Sequence, residues 1–172
     1  MYKRQVLYLS LAIKRMSAAT ATLVYLIYAA LTGLTFSVIF LVYTQESIAS
    51  VFGLTAFAFA GLSGFGYFTK RDLGPIGSFC MMGLFGMIGF ALLSIFMPSL
   101  MGGVSGQVYS AIGVLVFAGL TAYDTQKIKS LNILGNEGTA EDHKETIFGA
   151  LTLYLDFINL FMMLLRLTGK RR

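Results

Sequence analysis

Six stretches of this chain are almost wholly apolar: Val6–Ile13, Ala18–Tyr43, Ile48–Phe68, Ile76–Met97, Val108–Tyr123 and Thr146–Leu167. A helix needs about 20 residues to cross a bilayer. Four of the stretches reach that length. Val6–Ile13 is too short, and Val108–Tyr123 is marginal unless it extends back into Gln107. Inside hydrocarbon the backbone must satisfy its own polar groups, which leaves helices and closed barrels. Unbroken apolar runs favour helices over the alternating pattern of a barrel. Only 12% of the residues are charged, against about 25% in an average soluble domain. The expectation is an all-α membrane protein. It would be a polytopic helical bundle of five full helices plus a short N-terminal half-helix, forming one domain over residues 1–172.

The formal charge of +5 comes from basic clusters at segment ends. No basic stripe interleaved with aromatics runs along one face, so the charge speaks of membrane topology and not of nucleic acid. Lys14 and Arg15 follow the first segment, Lys70 and Arg71 the third, Lys127 and Lys129 the fifth. The loops after the second and fourth segments hold no Lys or Arg, and Glu46 is their only charge. The positive-inside rule puts the three basic loops in the cytoplasm. Arg166, Lys170, Arg171 and Arg172 conflict with this pattern. Either this tail is translocated against the rule, or the last segment is re-entrant and returns. Met1–Gln5 and Val6–Ile13 look like the start of a signal peptide, but Lys14 and Arg15 precede the small residues Ser17–Ala21, which argues against cleavage.

Several residues have plain structural readings. Gly61, Gly64, Gly83, Gly86 and Gly89 recur at about a helical turn and suit close helix packing better than a hinge. Pro75 and Pro98 fall at segment boundaries, where a missing amide is cheap. Cys80 lies in an apolar run and reads as a small buried hydrophobe. The polar connection Lys127–Glu145 holds His143, the one histidine, with no second histidine or cysteine beside it, so it reads as a solvated acidic loop and not a transition-metal site.

Asp156 does not fit a structural reading so easily. It sits near the middle of the last apolar segment. An ionisable residue there is costly and usually faces a water-filled cavity or a partner on an ion or proton path. A structural hydrogen bond to a neighbouring helix is the plainer alternative. Asn159 is one turn away on nearly the same face. Asp124, in Tyr123-Asp124-Thr125-Gln126-Lys127, closes the fifth segment and can equally be a helix-end residue meeting headgroups. With a last helix starting near Thr146, spacing alone does not bring the two aspartates together. Catalysis has little to stand on. Gly-x-Ser-x-Gly, His-Glu-x-x-His and P-loop strings are absent, and a facing-aspartate protease is the one superficial match. The chain is not expected to be an enzyme.

The string Gly149-Ala150-Leu151-Thr152-Leu153-Tyr154-Leu155-Asp156-Phe157-Ile158-Asn159-Leu160-Phe161, followed by Leu164-Leu165-Arg166, closely resembles the last-helix signature of the Bax inhibitor family. Gly119-Leu120-Thr121-Ala122-Tyr123-Asp124-Thr125-Gln126 resembles the end of that family's penultimate helix. Thr32-Gly33-Leu34-Thr35 and Lys70-Arg71-Asp72-Leu73 match in order and spacing. The likeness covers nearly the whole chain and is greatest to bacterial inner-membrane members of the YbhL/YccA type.

The resemblance implies a bundle with its last helix central and a role as a pH-sensitive calcium leak of the bacterial inner membrane. Family members have seven helices, so this chain looks shortened at its N-terminus, with Val6–Ile13 as part of the second helix. Two aspartates share a hydrogen bond at the cytoplasmic side of the pore; by residue match these are Asp124 and Asp156. An arginine that latches one of them corresponds to Arg15. No cofactor is implied, and calcium is the transported ion. Two carboxylates a hydrogen bond apart do not both ionise cheaply, so one keeps a proton and the pair senses pH. With carbonyls and water they would make a weak transit site for Ca²⁺, which takes several oxygen ligands; Asn159 would support it. The alternative is a regulatory partner or inhibitor of the membrane protease FtsH with no transport role, in which Met1–Gln5 and Lys127–Glu145 matter most.

Overall fold

The computed structural model describes residues 18–131 and 140–172. Met1–Gln5, Val6–Ile13 and Arg15 lie outside the described residues. The elements are α1 (Ala18–Phe36), α2 (Ile39–Val42), α3 (Gln45–Phe68), α4 (Gly74–Phe96), a 3₁₀ turn (Pro98–Met101), α5 (Gly103–Leu131) and α6 (Ala140–Thr168). Four helices are long and apolar enough to cross a membrane: α3, α4, most of α5, and α6 from Thr146 onward. The chain is an all-α, multi-spanning helical bundle.

Two boundaries depart from the apolar pattern. The segment Ala18–Tyr43 is not one helix: it breaks after Phe36 and resumes as α2. Around the break the amides of Ser37, Phe40 and Leu41 bond three residues back, to Leu34, Ser37 and Val38, and the Ser37 hydroxyl also takes the Leu34 carbonyl. This competing serine bond and the tighter turns interrupt the α-helical ladder. The fifth segment is not marginal. α5 is 29 residues long, starting before Gln107 and running eight residues past Tyr123. Its polar end is helical because a helix leaving hydrocarbon needs no apolar residues, only its own hydrogen bonds.

The helix starts follow local chemistry. The Thr44 side chain accepts from the Ser47 amide and caps α3. Asp72 Oδ1 accepts the Gly74 amide at 2.8 Å, and Pro75 sits in the first turn of α4. Gly103, with φ of 55°, turns the chain from the 3₁₀ segment into α5, a conformation that a side chain resists.

α6 packs against α1, α3 and α5, while α5 packs against α3, α4 and α6. A third of the apolar stretch of α6 is buried (33%), and 28% of that of α5, against 11% for α3 and for α4. The centre of the bundle is therefore the α5–α6 pair. One apolar cluster joins Cys80 and Met87 of α4, Val116, Phe117 and Leu120 of α5, and Leu160 and Met163 of α6. A second joins Ile39, Tyr43 and Val51 to Phe161 and Leu165. Large exposed apolar side chains such as Phe57, Phe68 and Phe96 cover the outside, as expected where the solvent is lipid.

The close approaches use other glycines than the periodic ones. Gly61, Gly64, Gly86 and Gly89 face nothing within 4 Å among the described residues, and of that set only Gly83 meets a neighbour, Val116. Gly66 lies against the Ala122 backbone, Gly77 against the Tyr123 ring, Gly113 against Met163 and Gly149 against Ile128.

α6 is one continuous helix from Ala140 to Thr168. It does not turn back. Its tail folds onto the α2–α3 junction: Thr44 N donates to Lys170 O at 3.2 Å, Arg172 N to Val42 O at 3.0 Å, and Lys170 N to Ser47 Oγ at 3.0 Å. The basic tail thus sits at the end of the bundle that carries Glu46, opposite Lys70, Arg71, Lys127 and Lys129.

Candidate functional site

The antiparallel seam of α5 and α6 positions the aspartates. Gly113 admits Met163 at one point and Gly149 admits Ile128 at another. These glycines let the two backbones approach. Asp124 lies between Gly113 and Ile128 on α5, and Asp156 between Gly149 and Met163 on α6. The two carboxyls come within hydrogen-bonding reach of one another. Helix length resolves what spacing left open: α6 begins six residues before Thr146 and α5 continues seven residues past Asp124, so the paired stretch is long enough to hold both.

Asp156 is 6% exposed, and its Oδ2 has no hydrogen-bond partner among the described residues. Asp124 is partly exposed. Lys127, one turn further along α5, is the cation whose charge reaches Asp124. Two threonine hydroxyls of α5 near Asp124 are turned to their own helix. Thr121 bonds Phe117 O and Thr125 bonds Thr121 O, each within α5. Asn159 is likewise turned to its own helix, its Nδ2 donating to Leu155 O at 2.7 Å. The next residue of α6, Phe157, is held edge-on between Phe52 and Phe59 of α3, at 5.5 and 5.4 Å between ring centroids. These contacts fix the rotation of α6 about its axis and so the direction of Asp156.

Among the described residues no three His, Cys, Asp or Glu side chains converge. Calcium at the pair would have to complete its shell with carbonyls and water.

A second polar feature begins two residues beyond Asp124. Gln126 Oε1 accepts from Leu73 N at 2.9 Å, and its Nε2 donates to Arg71 O at 2.8 Å. Lys129 Nζ donates to Tyr67 O at 2.7 Å and lies 4.5 Å from the Tyr67 ring centroid. The α3–α4 loop is thereby strapped to α5. In the sequence Lys70 and Arg71 read as topology markers and as part of a family string, and neither reading points to this strap. A glutamine following a helical apolar run carries no signal of a partner 55 residues away.

A family model described as Inhibitor of apoptosis-promoting Bax1 matches residues 5–172. The chain belongs to this family. It is 49% identical over 170 residues to the inner membrane protein YbhL of Escherichia coli K12, covering 97% of the chain and 70% of YbhL. An uncharacterized protein of Borreliella burgdorferi is 45% identical over 161 residues, covering 94% of the chain and 68% of that protein. One of Rickettsia prowazekii is 44% identical over 167 residues, covering 96% and 69%. Family membership and the spanning helices make the chain a multi-pass inner-membrane protein.

Proposed function

We propose that this Bax inhibitor family member is a pH-sensitive calcium leak of the inner membrane, gated by the proton-sharing pair Asp124–Asp156. The observation that carries this reading is the meeting of two carboxyls in the seam of the two most buried helices. A buried acid with an unpartnered oxygen is a costly arrangement, and proteins keep such arrangements where they are used.

The physics of the pair supplies the sensor. In a poorly hydrated seam two adjacent carboxylates repel, so one proton is shared and the pair responds to pH as a unit. Loss of that proton leaves up to two negative charges facing each other. Three things can then answer them: a cation in transit, separation of α5 from α6, or an arginine latch. Arg15 is the candidate latch. Two carboxylates with carbonyls and water bind Ca²⁺ weakly, which a leak requires because the ion must leave again. The bistable element is the α5–α6 contact, biased by the proton.

The test is calcium flux into proteoliposomes across about pH 6 to 8, comparing the chain with Asp156→Asn. The expected result is a pH-dependent flux that becomes flat in the variant. A pH profile unchanged by Asp156→Asn removes the sensor. No flux from either protein removes the leak and turns attention to the FtsH-regulator reading, checked by co-purification of that protease.

A further inference from the structure

The strap between the α3–α4 loop and α5 borders an open cleft of about 420 Å³. Lys70, Arg71, Asp72, Tyr123, Gln126 and Lys127 line it. Its floor is held in place, since Gln126 bonds both Leu73 N and Arg71 O, and Lys129 bonds Tyr67 O. Asp72 is the one acid in the lining; its Oδ1 accepts the Gly74 amide, and its single negative charge stands against three positive ones. Among the described residues none of Lys70, Arg71 and Lys127 forms a salt bridge; the charge of Lys127 reaches Asp124, and its ammonium lies 5.9 Å from the Tyr123 ring centroid. Three exposed cations against one carboxylate leave this concave surface with a positive excess, which favours an anion. A guanidinium beside two ammonium groups matches phosphate oxygens.

The surroundings indicate what carries the phosphate. Phe68 closes α3 just before the loop and is 79% exposed. Ile76 and Phe79, in the first turns of α4, are 47% and 72% exposed. These side chains face lipid on the membrane-spanning helices that flank the cleft. The cleft therefore opens where hydrocarbon gives way to water, the level at which a lipid headgroup sits. We infer that it binds the phosphate of an anionic phospholipid, with the acyl chains lying along Phe68 and Phe79.

The full chain, purified in detergent, is titrated with phosphatidylglycerol and with phosphatidylcholine, and bound lipid is counted by native mass spectrometry. Phosphatidylglycerol is expected to bind in preference. Arg71→Gln with Lys127→Gln should weaken it about thirtyfold, given roughly a fivefold contribution from each basic residue near a charged lipid. Arg71→Lys with Lys127→Arg keeps the charges and should keep most of the binding. Arg171→Gln with Arg172→Gln, at the opposite end, should leave it unchanged. Equal loss from both glutamine pairs, or none from the cleft pair, overturns the site. If inorganic phosphate alone raises the melting temperature in a cleft-dependent way while lipid binding ignores the cleft, the ligand is a soluble phosphate and the lipid assignment fails. The readout is independent of calcium flux, so it stands or falls separately from the leak.

Discussion

Asp156 and Asp124 act as a pair only if each needs the other. Replacing either by Asn removes the repulsion that makes two adjacent carboxylates share a proton. Asp124→Asn is therefore expected to flatten the pH response of calcium flux as fully as Asp156→Asn, and the double variant no further, since coupled residues are not additive. A double variant flatter than either single one would mean two independent titrating groups. Gln126 makes a different kind of contribution. It satisfies the amide of buried Leu73 and the carbonyl of exposed Arg71. Water can replace the second bond but not easily the first. Gln126→Ala should cost about 1–2 kcal/mol, the penalty of an orphaned buried amide. Gln126→Glu keeps an acceptor for Leu73 and should cost less. Thermal unfolding in detergent measures both, and equal melting temperatures for the two variants would show that the Leu73 bond contributes nothing.

At the scale of helices, what holds the bundle together is close backbone approach, because lipid removes most of the hydrophobic drive between helices. Gly66 is the sharpest case. A methyl group there would collide with the Ala122 backbone of α5, and no flexible side chain can move aside. Gly66→Ala should cost about 1–3 kcal/mol, as overpacking does, whereas Gly86→Ala, which meets nothing among the described residues, should be neutral or slightly stabilising. Equal melting temperatures for these two variants would remove the distinction. The spacing of glycines in the sequence points at Gly61, Gly64, Gly83, Gly86 and Gly89, of which only Gly83 meets a neighbour among the described residues, and it misses Gly66. Periodicity reports that a face is small, not which face meets a neighbour. The same limit explains the fifth segment. Apolar run length shows where hydrocarbon lies, and a helix continuing into water with polar residues leaves no mark in it. Asp156 is legible because a charge in an apolar run stands out, whereas Asp124, at a segment end, is singled out by the family resemblance. Their meeting is implied by that resemblance and not by spacing, since it depends on the register of two helices whose ends the apolar pattern misplaces.

At the scale of the molecule, orientation decides which compartment the aspartate pair addresses. The described cations are split between the two ends: Lys70, Arg71, Lys127 and Lys129 at one, Arg166, Lys170, Arg171 and Arg172 at the other. The positive-inside rule weighs short loops between spans and the segments flanking them. Lys14 and Arg15 then favour a cytoplasmic α3–α4 loop. The continuous α6 carries the tail to the opposite face, where backbone bonds to Val42, Thr44 and Ser47 tie it down. These bonds explain how a basic tail is held on the unfavoured side, since it is folded onto the bundle rather than left free. The prediction concerns sidedness. With Cys80 replaced by Ala, Arg171→Cys should react with a membrane-impermeant thiol reagent on intact spheroplasts, and Arg71→Cys only after lysis. Because the two positions lie at opposite ends of the bundle, labelling of both from outside would contradict the helix arrangement itself. Labelling in the reverse sense would leave the fold intact and turn it over. Under the proposed leak, Asp124, which lies close to the basic-loop end of α5, would then draw its ions from the periplasm and sense the pH there rather than that of the cytoplasm.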